Sequence, residues 1–262
     1  MKFAMQELRI PLGSLAERVK AIEELGFDGV EVYGEPVRKD PGALDDAFRG
    51  RKVKLSAICA GYRGAPLAAA KDERDESGAD ILKLAAMADR LGGEGVIVVP
   101  VFGKPQVPDL SPWRDAVALE RELLVALLKE WAPAAERSGG KIILEPLNRY
   151  ETHWPNTLDE AAEVAAAVRS PAVSILADFF HMNIEETDVP AALARNAAHI
   201  GYVHVADNTR QQPGTGSTDF APGLRALAKA GYDGWVSFEC RIRGDWREAL
   251  PASLAYVKKQ LG

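Results

Sequence analysis

EELGFDGVEVYGE, residues 23–35, runs from the end of a helical pattern through a glycine turn into a mostly apolar, β-branched run. Glycine just past a helix tolerates the left-handed backbone that ends it, and the chain then enters a buried strand. AKAGYDGWVSFEC (228–240) repeats the arrangement near the other end of the chain. Weaker copies stand between them, ADRLGGEGVIVVP (88–100) and AERSGGKIILEP (135–146). Recurrence of one helix–turn–strand unit is the first clue to architecture.

Working outward, eight strands are expected: KFAMQ, GVEVYG, VKLSAICA, GVIVVPVF, KIILEP, VSILAD, GYVHVA and WVSFEC. Several are almost continuously apolar, as parallel strands covered on both faces should be. Between them stand amphipathic helical patterns such as SLAERVKAIEEL, DILKLAAMADRL, ALERELLVALLKEWAPAAER and TLDEAAEVAAAVR. Thr157 or Asn156 is placed to cap the last of these. Alternating strands and helices make parallel βαβ units. Eight in 262 residues is about 33 residues each, which suits one (β/α)8 TIM barrel domain over residues 1–262. An open doubly wound sheet would carry a glycine-rich phosphate turn after an early strand, and none follows KFAMQ or GVEVYG.

The composition agrees, with 47% hydrophobic and 27% charged residues. MKFAMQELRIPLGSL lacks the apolar core of a secretory signal, and no stretch approaches a membrane span, so a cytoplasmic protein is expected. A net charge of −6 offers no electrostatic footprint for nucleic acid. Cys59 and Cys240 lie in strand runs and read as two buried thiols. Cys240 should point away from the barrel mouth, since it follows Glu239 in a pleated strand.

Barrel chemistry sits at the C-terminal strand ends. Strand five ends in Glu145, six in Asp178, seven carries His204 and eight ends in Glu239, with separations of 33, 26 and 35 residues. Singly, each carboxylate reads as a helix cap or ion-pair partner and the histidine as a structural residue. Together, three carboxylates at one mouth repel unless a cation or protons relieve them. Oxygen ligands with one imidazole suit Mn²⁺, Mg²⁺ or Co²⁺, and also Zn²⁺. EPLNRYETHW, DFFHMNIEE and HVADNTRQQPGTG then leave their strands as loops rich in hydrogen-bonding groups, as a polar substrate requires.

At these residues the chain resembles the ketose 3-epimerases, the D-tagatose and D-psicose 3-epimerase group of the xylose isomerase-like barrels. The likeness is strongest from Ile142 to Glu239, through LEPLNRYET, DFFHMNIEE, HVADNTRQQPGTG and GYDGWVSFE. It implies that Glu145, Asp178, His204 and Glu239 hold one divalent ion, Mn²⁺ foremost, and that Glu145 and Glu239 are the acid–base pair. It also implies that Glu151, His181 and Arg210 bind substrate. The implied reaction is C3 epimerisation of a free ketose through a metal-stabilised enediolate, in a protein that forms homodimers or homotetramers. Inverting a carbon beside a ketone needs proton removal on one face and delivery on the other, which two carboxylates on different strands can perform.

The first half is less informative. Glu31, Tyr33, Glu35, Tyr62, Arg63 and Trp113 are placed to line the mouth, although Trp113 reads more readily as packing against a helix. Gly214 and Gly216 in PGTGST hint at a phosphate cradle, but no strand stands where that motif needs one. His153 and His199 read as structural, and KDERDE as a solvated loop or helix start. Alternatives on the same four ligands are a hydroxypyruvate-type isomerase, a keto-acid or keto-glycoside isomerase or epimerase, and an inosose-type dehydratase. An abasic-site endonuclease is disfavoured by only four histidines and an acidic chain. A non-catalytic sugar-binding barrel is disfavoured by the complete ligand set.

Overall fold

The computed structural model describes residues 1–262. Eight strands are present: β1 (Lys2–Gln6), β2 (Gly29–Tyr33), β3 (Lys54–Cys59), β4 (Val96–Val98), β5 (Ile142–Leu144), β6 (Val173–Asp178), β7 (Ile200–Val205) and β8 (Trp235–Phe238). They pair in parallel in sequence order, and β1 pairs with β8 to close the barrel. Both ends of the expected β1 and β6 agree to the residue, whereas β4, β5 and β8 are shorter than their apolar runs. No helix is long and apolar enough to cross a membrane.

The helices are α1 (Leu15–Glu24), α2 (Gly34–Lys39), α3 (Pro41–Phe48), α4 (Lys71–Arg90), α5 (Ala116–Ser138), α6 (Leu158–Val168), α7 (Phe179–Glu185), α8 (Val189–Asn196), α9 (Phe220–Lys229) and α10 (Trp246–Gln260). Local chemistry sets several starts. Ser14 with Glu17, and Thr157 with Glu160, form reciprocal capping boxes on α1 and α6. Thr157, not Asn156, is therefore the cap. KDERDE forms the first turns of α4, where acidic side chains suit the helix dipole.

The strands face two ways. Outward residues such as Phe3, Met5, Val30, Val203 and Val236 join Ile22, Leu84 and Leu128 of the helices in one large core. Inward, Ala4, Ala57, Ile97, Ile143, Leu176, Tyr202 and Trp235 fill the barrel. Gly29 makes room for that filling, because a Cβ there would lie 2.4 Å from the Trp235 ring. Cys240 belongs to the outer core, as its position after Glu239 implies. Cys59 packs against the inner cluster, where burial and the charges of Glu31, Glu239 and Glu145 push its thiol well up. Both thiols are free.

Two bulges decide which face β3 and β7 present. Ile175 pairs with Ile200, but Leu176 pairs with Tyr202, leaving Gly201 as an extra residue. Ile200 faces the helices and Tyr202 the barrel, although a regular pleat would put both on one side. The step turns Tyr202 and His204 inward. Ser56 plays the same part in β3, between Leu55 and Ala57. Ser56 then meets Tyr202 hydroxyl to hydroxyl at 2.7 Å.

Candidate metal centre and proton-transfer site

Two residues beyond the inner apolar layer, the strands turn polar. Stepping by one pleat takes Ile143 to Glu145, Leu176 to Asp178, Tyr202 to His204, Ala4 to Gln6 and Gly29 to Glu31. The site is therefore the layer directly above the apolar plug. Glu145, Asp178, His204 and Glu239 each bring one donor atom to within 4.8 Å of the others. Asp178 and His204 are register partners on β6 and β7. Glu145 and Glu239 lie one residue past β5 and β8.

The donor set fits a divalent cation. Glu145 Oε1 and His204 Nδ1 are both buried without a hydrogen bond, 3.5 Å apart. Nδ1 also lies 3.1 Å from Glu239 and 4.0 Å from Asp178. Burying such atoms unpaired is costly unless something binds them. Three carboxylates and one imidazole are the donors that hard or borderline ions take.

Arg210 spans the same carboxylates, donating to Asp178 at 2.6 Å and Glu239 at 2.5 Å, with its guanidinium over the Phe180 ring. Its backbone is left-handed (φ 57°). The surrounding charges separate the carboxylates. Burial drives Glu145 above the ordinary carboxylate range against the pull of His204. Burial also opposes ionisation of Asp178 and Glu239, but Arg210 with His181 and His204 outweighs it for Asp178, and His204 with Arg210 for Glu239. Both stay low. Burial disfavours charged His204, yet Glu31 and Glu239 raise it well above the usual histidine range.

His181 is 3% exposed, and its Nδ1 accepts from the Asn148 backbone at 3.1 Å. Its Nε2 lies 3.4 Å from Asp178. An acceptor role at Nδ1 assigns the proton to Nε2, aimed into the mouth. Glu151 sits at the rim, half-exposed, taking a hydrogen bond from Asn148.

Elsewhere the expectations need correction. DFFHMNIEE is not a loop: residues 179–185 form α7, because Asp178 caps it by accepting from Phe180 N at 2.7 Å. Asp178 thus caps a helix with one oxygen and faces the site with the other. Trp113 is 73% exposed, so it is not a buried packing residue. Arg63 is held by Asp80 at 2.8 Å, and Glu35 pairs with Lys39 on the surface. The amides of Gly214, Thr215 and Gly216 do form a cradle, but the Asp207 carboxylate fills it at 2.8–3.1 Å. His153 bonds Glu120 at 2.6 Å, and His199 lies at the opposite end of the barrel, beside β7's first residue. Glu31, expected to line the mouth, stands at this centre against His204, whereas Gln6 is the residue the sequence reading missed. For Glu31 the signal was a carboxylate in an otherwise apolar strand, GVEVY.

Comparison with known proteins places this geometry. A 3-dehydro-D-guloside 4-epimerase of Escherichia coli is 31% identical over 261 residues, covering 98% of this chain and 99% of its own. An L-ribulose 3-epimerase of Mesorhizobium japonicum is 32% identical over 222 residues, covering 82% and 72%. The crystal structure of an E. coli 3-keto-D-glucoside 4-epimerase, 31% identical, superposes with a TM-score of 0.89 over 99% of both chains. The family model described as Xylose isomerase-like TIM barrel matches residues 19–260. With its closed eight-stranded barrel and a four-donor cluster at the strand ends, this chain belongs to the Xylose isomerase-like TIM barrel family.

Proposed function

We propose that this chain is a metal-dependent epimerase that inverts a carbon beside the ketone of a keto-sugar. The convergence of Glu145, Asp178, His204 and Glu239 carries the reading, because it puts two glutamates from β5 and β8 around one cation-binding point. Mn²⁺ suits an oxygen-rich set with one imidazole. A divalent ion there supplies positive charge that offsets the charge developing on the substrate oxygens.

The protein's own groups handle the proton. Glu145 and Glu239, reaching the site from just past β5 and β8, are suited to take the carbon-bound proton on one face and deliver one to the other. Their roles exchange in the reverse direction. Arg210 offers a planar, multi-point grip on substrate oxygens, and His181 offers its Nε2–H. Glu151 is placed for a hydroxyl further out.

Likeness over nearly the whole of both chains to a 4-epimerase favours a keto-glycoside as substrate. The rim favours it too. Phe102 and Tyr150 are 62% and 82% exposed, on loops joined by a Gly103–Glu151 backbone bond. Exposed rings at a mouth suit stacking against an added ring. A second reading, C3 epimerisation of a free ketose, rests on the likeness to the L-ribulose 3-epimerase.

The test is solvent deuterium incorporation by Mn²⁺-loaded protein in D₂O, followed by NMR. Methyl 3-keto-glucoside and 3-keto-guloside form one arm, and D-tagatose, D-psicose and L-ribulose the other. Exchange with epimer formation supports the reading; aldose or dehydrated products from these sugars, or no exchange on any of them, refute it. Glu145→Gln and Glu239→Gln should each cut turnover by about 10²–10⁴-fold or more. Full activity in either variant would refute the acid–base pair.

A further inference from the structure

We infer that Glu31, backed by Gln6, is a positioning residue for the metal centre: it accepts the Nε2 proton of His204 and thereby commits Nδ1 as the ring's ligand atom. The inference rests on the metal-site reading above and adds the first two strands to it.

The hydrogen bonds leave Glu31 little choice. It is 0% exposed, at the same level as the donor cluster but on the far side of the His204 ring. Its Oε2 lies 2.8 Å from His204 Nε2, and its Oε1 accepts from Gln6 Nε2 at 3.0 Å. Gln6 is itself oriented, because its Oε1 accepts from Arg9 Nε at 2.7 Å. The amide orientation follows: with its oxygen facing Arg9, Gln6 presents its NH₂ to Glu31 and, at 3.3 Å, to Glu239. β1 and β2 hold this pair in register, Gln6 opposite Glu31.

His204 is 0% exposed, and Glu31 is the partner of its Nε2. Nδ1, facing Glu239 and Glu145, makes no hydrogen bond. A ligating imidazole must offer a lone pair on one nitrogen and carry its proton on the other. A carboxylate behind the ring fixes that tautomer, sets the ring plane and makes the ligating nitrogen a stronger donor. Without Glu31, the Nε2 proton would be buried unpaired, and the Nδ1–H tautomer, which cannot ligate through Nδ1, would compete.

The experiment measures Mn²⁺ affinity by competition with a fluorescent chelator, in wild type and in Glu31→Ala, Glu31→Gln and Gln6→Leu. Long-range ¹H–¹⁵N spectra of the Mg²⁺-loaded proteins report which His204 nitrogen carries the proton. Wild type should show the proton on Nε2. Glu31→Ala should weaken Mn²⁺ binding by about 10–100-fold, the range for removing such outer partners, with the single-tautomer signature lost. Glu31→Gln keeps size and puts an amide NH₂ against the Gln6 NH₂ or the His204 N–H, so it should weaken binding even if Glu31→Ala folds poorly. Gln6→Leu should weaken it less, since it leaves the Glu31–His204 bond in place. Mn²⁺ affinity within about twofold of wild type in both Glu31 variants, with Nε2 still protonated, overturns the inference alone. Failure of the wild-type protein to bind Mn²⁺ overturns the metal-site reading with it.

Discussion

Replacing Asp207 with asparagine should loosen the loop that carries Arg210 while leaving the barrel folded. Asp207 is 0% exposed, and its carboxylate gathers five backbone N–H groups. Oδ1 accepts from Asn208 at 2.9 Å and Thr218 at 3.0 Å. Oδ2 accepts from Gly214, Thr215 and Gly216 at 3.0, 3.1 and 2.8 Å. Gly216 must be glycine for this approach, since a Cβ would lie 2.3 Å from the carboxylate. An asparagine side chain keeps one oxygen, best spent on the three-donor side, and turns an NH₂ toward the Asn208 and Thr218 amides. Two charge-assisted bonds disappear, worth about 1.5–3 kcal/mol each. Water can re-solvate a surface loop, so about 3–4 kcal/mol is expected, roughly several hundredfold in the loop-opening equilibrium.

Arg210 feels that opening directly. Its N–H donates to the Asp207 carbonyl at 2.8 Å, and its own carbonyl accepts from Arg241 at 2.7 Å. Losing the first anchor should displace the guanidinium and cut kcat/KM by about 10²-fold. Hydrogen exchange read by mass spectrometry over residues 207–219 is the assay. The amides of 214–218 should lose protection by orders of magnitude while the β-strand amides keep theirs. Strand and loop protection both at wild-type levels would refute the argument. The pH dependence has a definite sign. Burial pushes Asp207 up, but the N–H groups of Thr218, Gly216 and Asn208 outweigh it and hold the carboxyl low. Its contribution is therefore full above the unfolded value of about 3.9 and is lost as pH falls through the lower folded value. Wild-type loop protection should fall in acid, and that step should be absent from the asparagine variant.

Two further outcomes are expected. Asp80 on α4 binds Arg63 at 2.8 and 3.0 Å and approaches Arg38 at 3.4 Å, so Asp80→Ala strands partly buried guanidinium groups. Because Arg63 is half-exposed, the cost should be about 2–3 kcal/mol, read as a lower urea midpoint at unchanged slope; an unchanged midpoint counts against the clip. Mn²⁺ at a hundred times its Kd should stabilise the chelator-treated protein by about 2.7 kcal/mol, raising Tm by roughly 5–10 °C. Asp178→Ala should abolish that rise, and a flat wild-type response to Mn²⁺ would contradict the metal centre.

Much of this centre could be read from the chain, for a local reason. Asp178 and Glu239 close apolar runs, and Glu145 follows Ile142–Leu144, so the ends of buried strands are marked by the first charges after them. α7 was less legible. DFFHMNIEE has too few residues for a periodic signal, and its helix depends on Asp178 serving as cap while also facing the site. The PGTG glycines were legible as an amide cradle, but its occupant lies seven to nine residues back in the same loop. Trp113 looked like a packing residue because tryptophan usually is one. It is instead 73% exposed, in a turn closed by the Leu110–Arg114 bridge.

The four donors with which the strand-end argument began are thus a property of the sequence in one sense only. Period-two pleating, glycine stops and helix caps are decided within a few residues, so the chain by itself marks, to within a few residues, where strands give way to the charges that follow them. Which way those charges point is not local. Gly201 becomes a bulge only when β7 lies against β6, and that slip turns His204 into the barrel. Glu31 comes behind the His204 ring across 173 residues of chain, and Gln6 reaches Glu239 across 233. Ring closure between β1 and β8 brings those separations within hydrogen-bond reach, and a contact made by closure leaves no periodicity in the sequence to announce it.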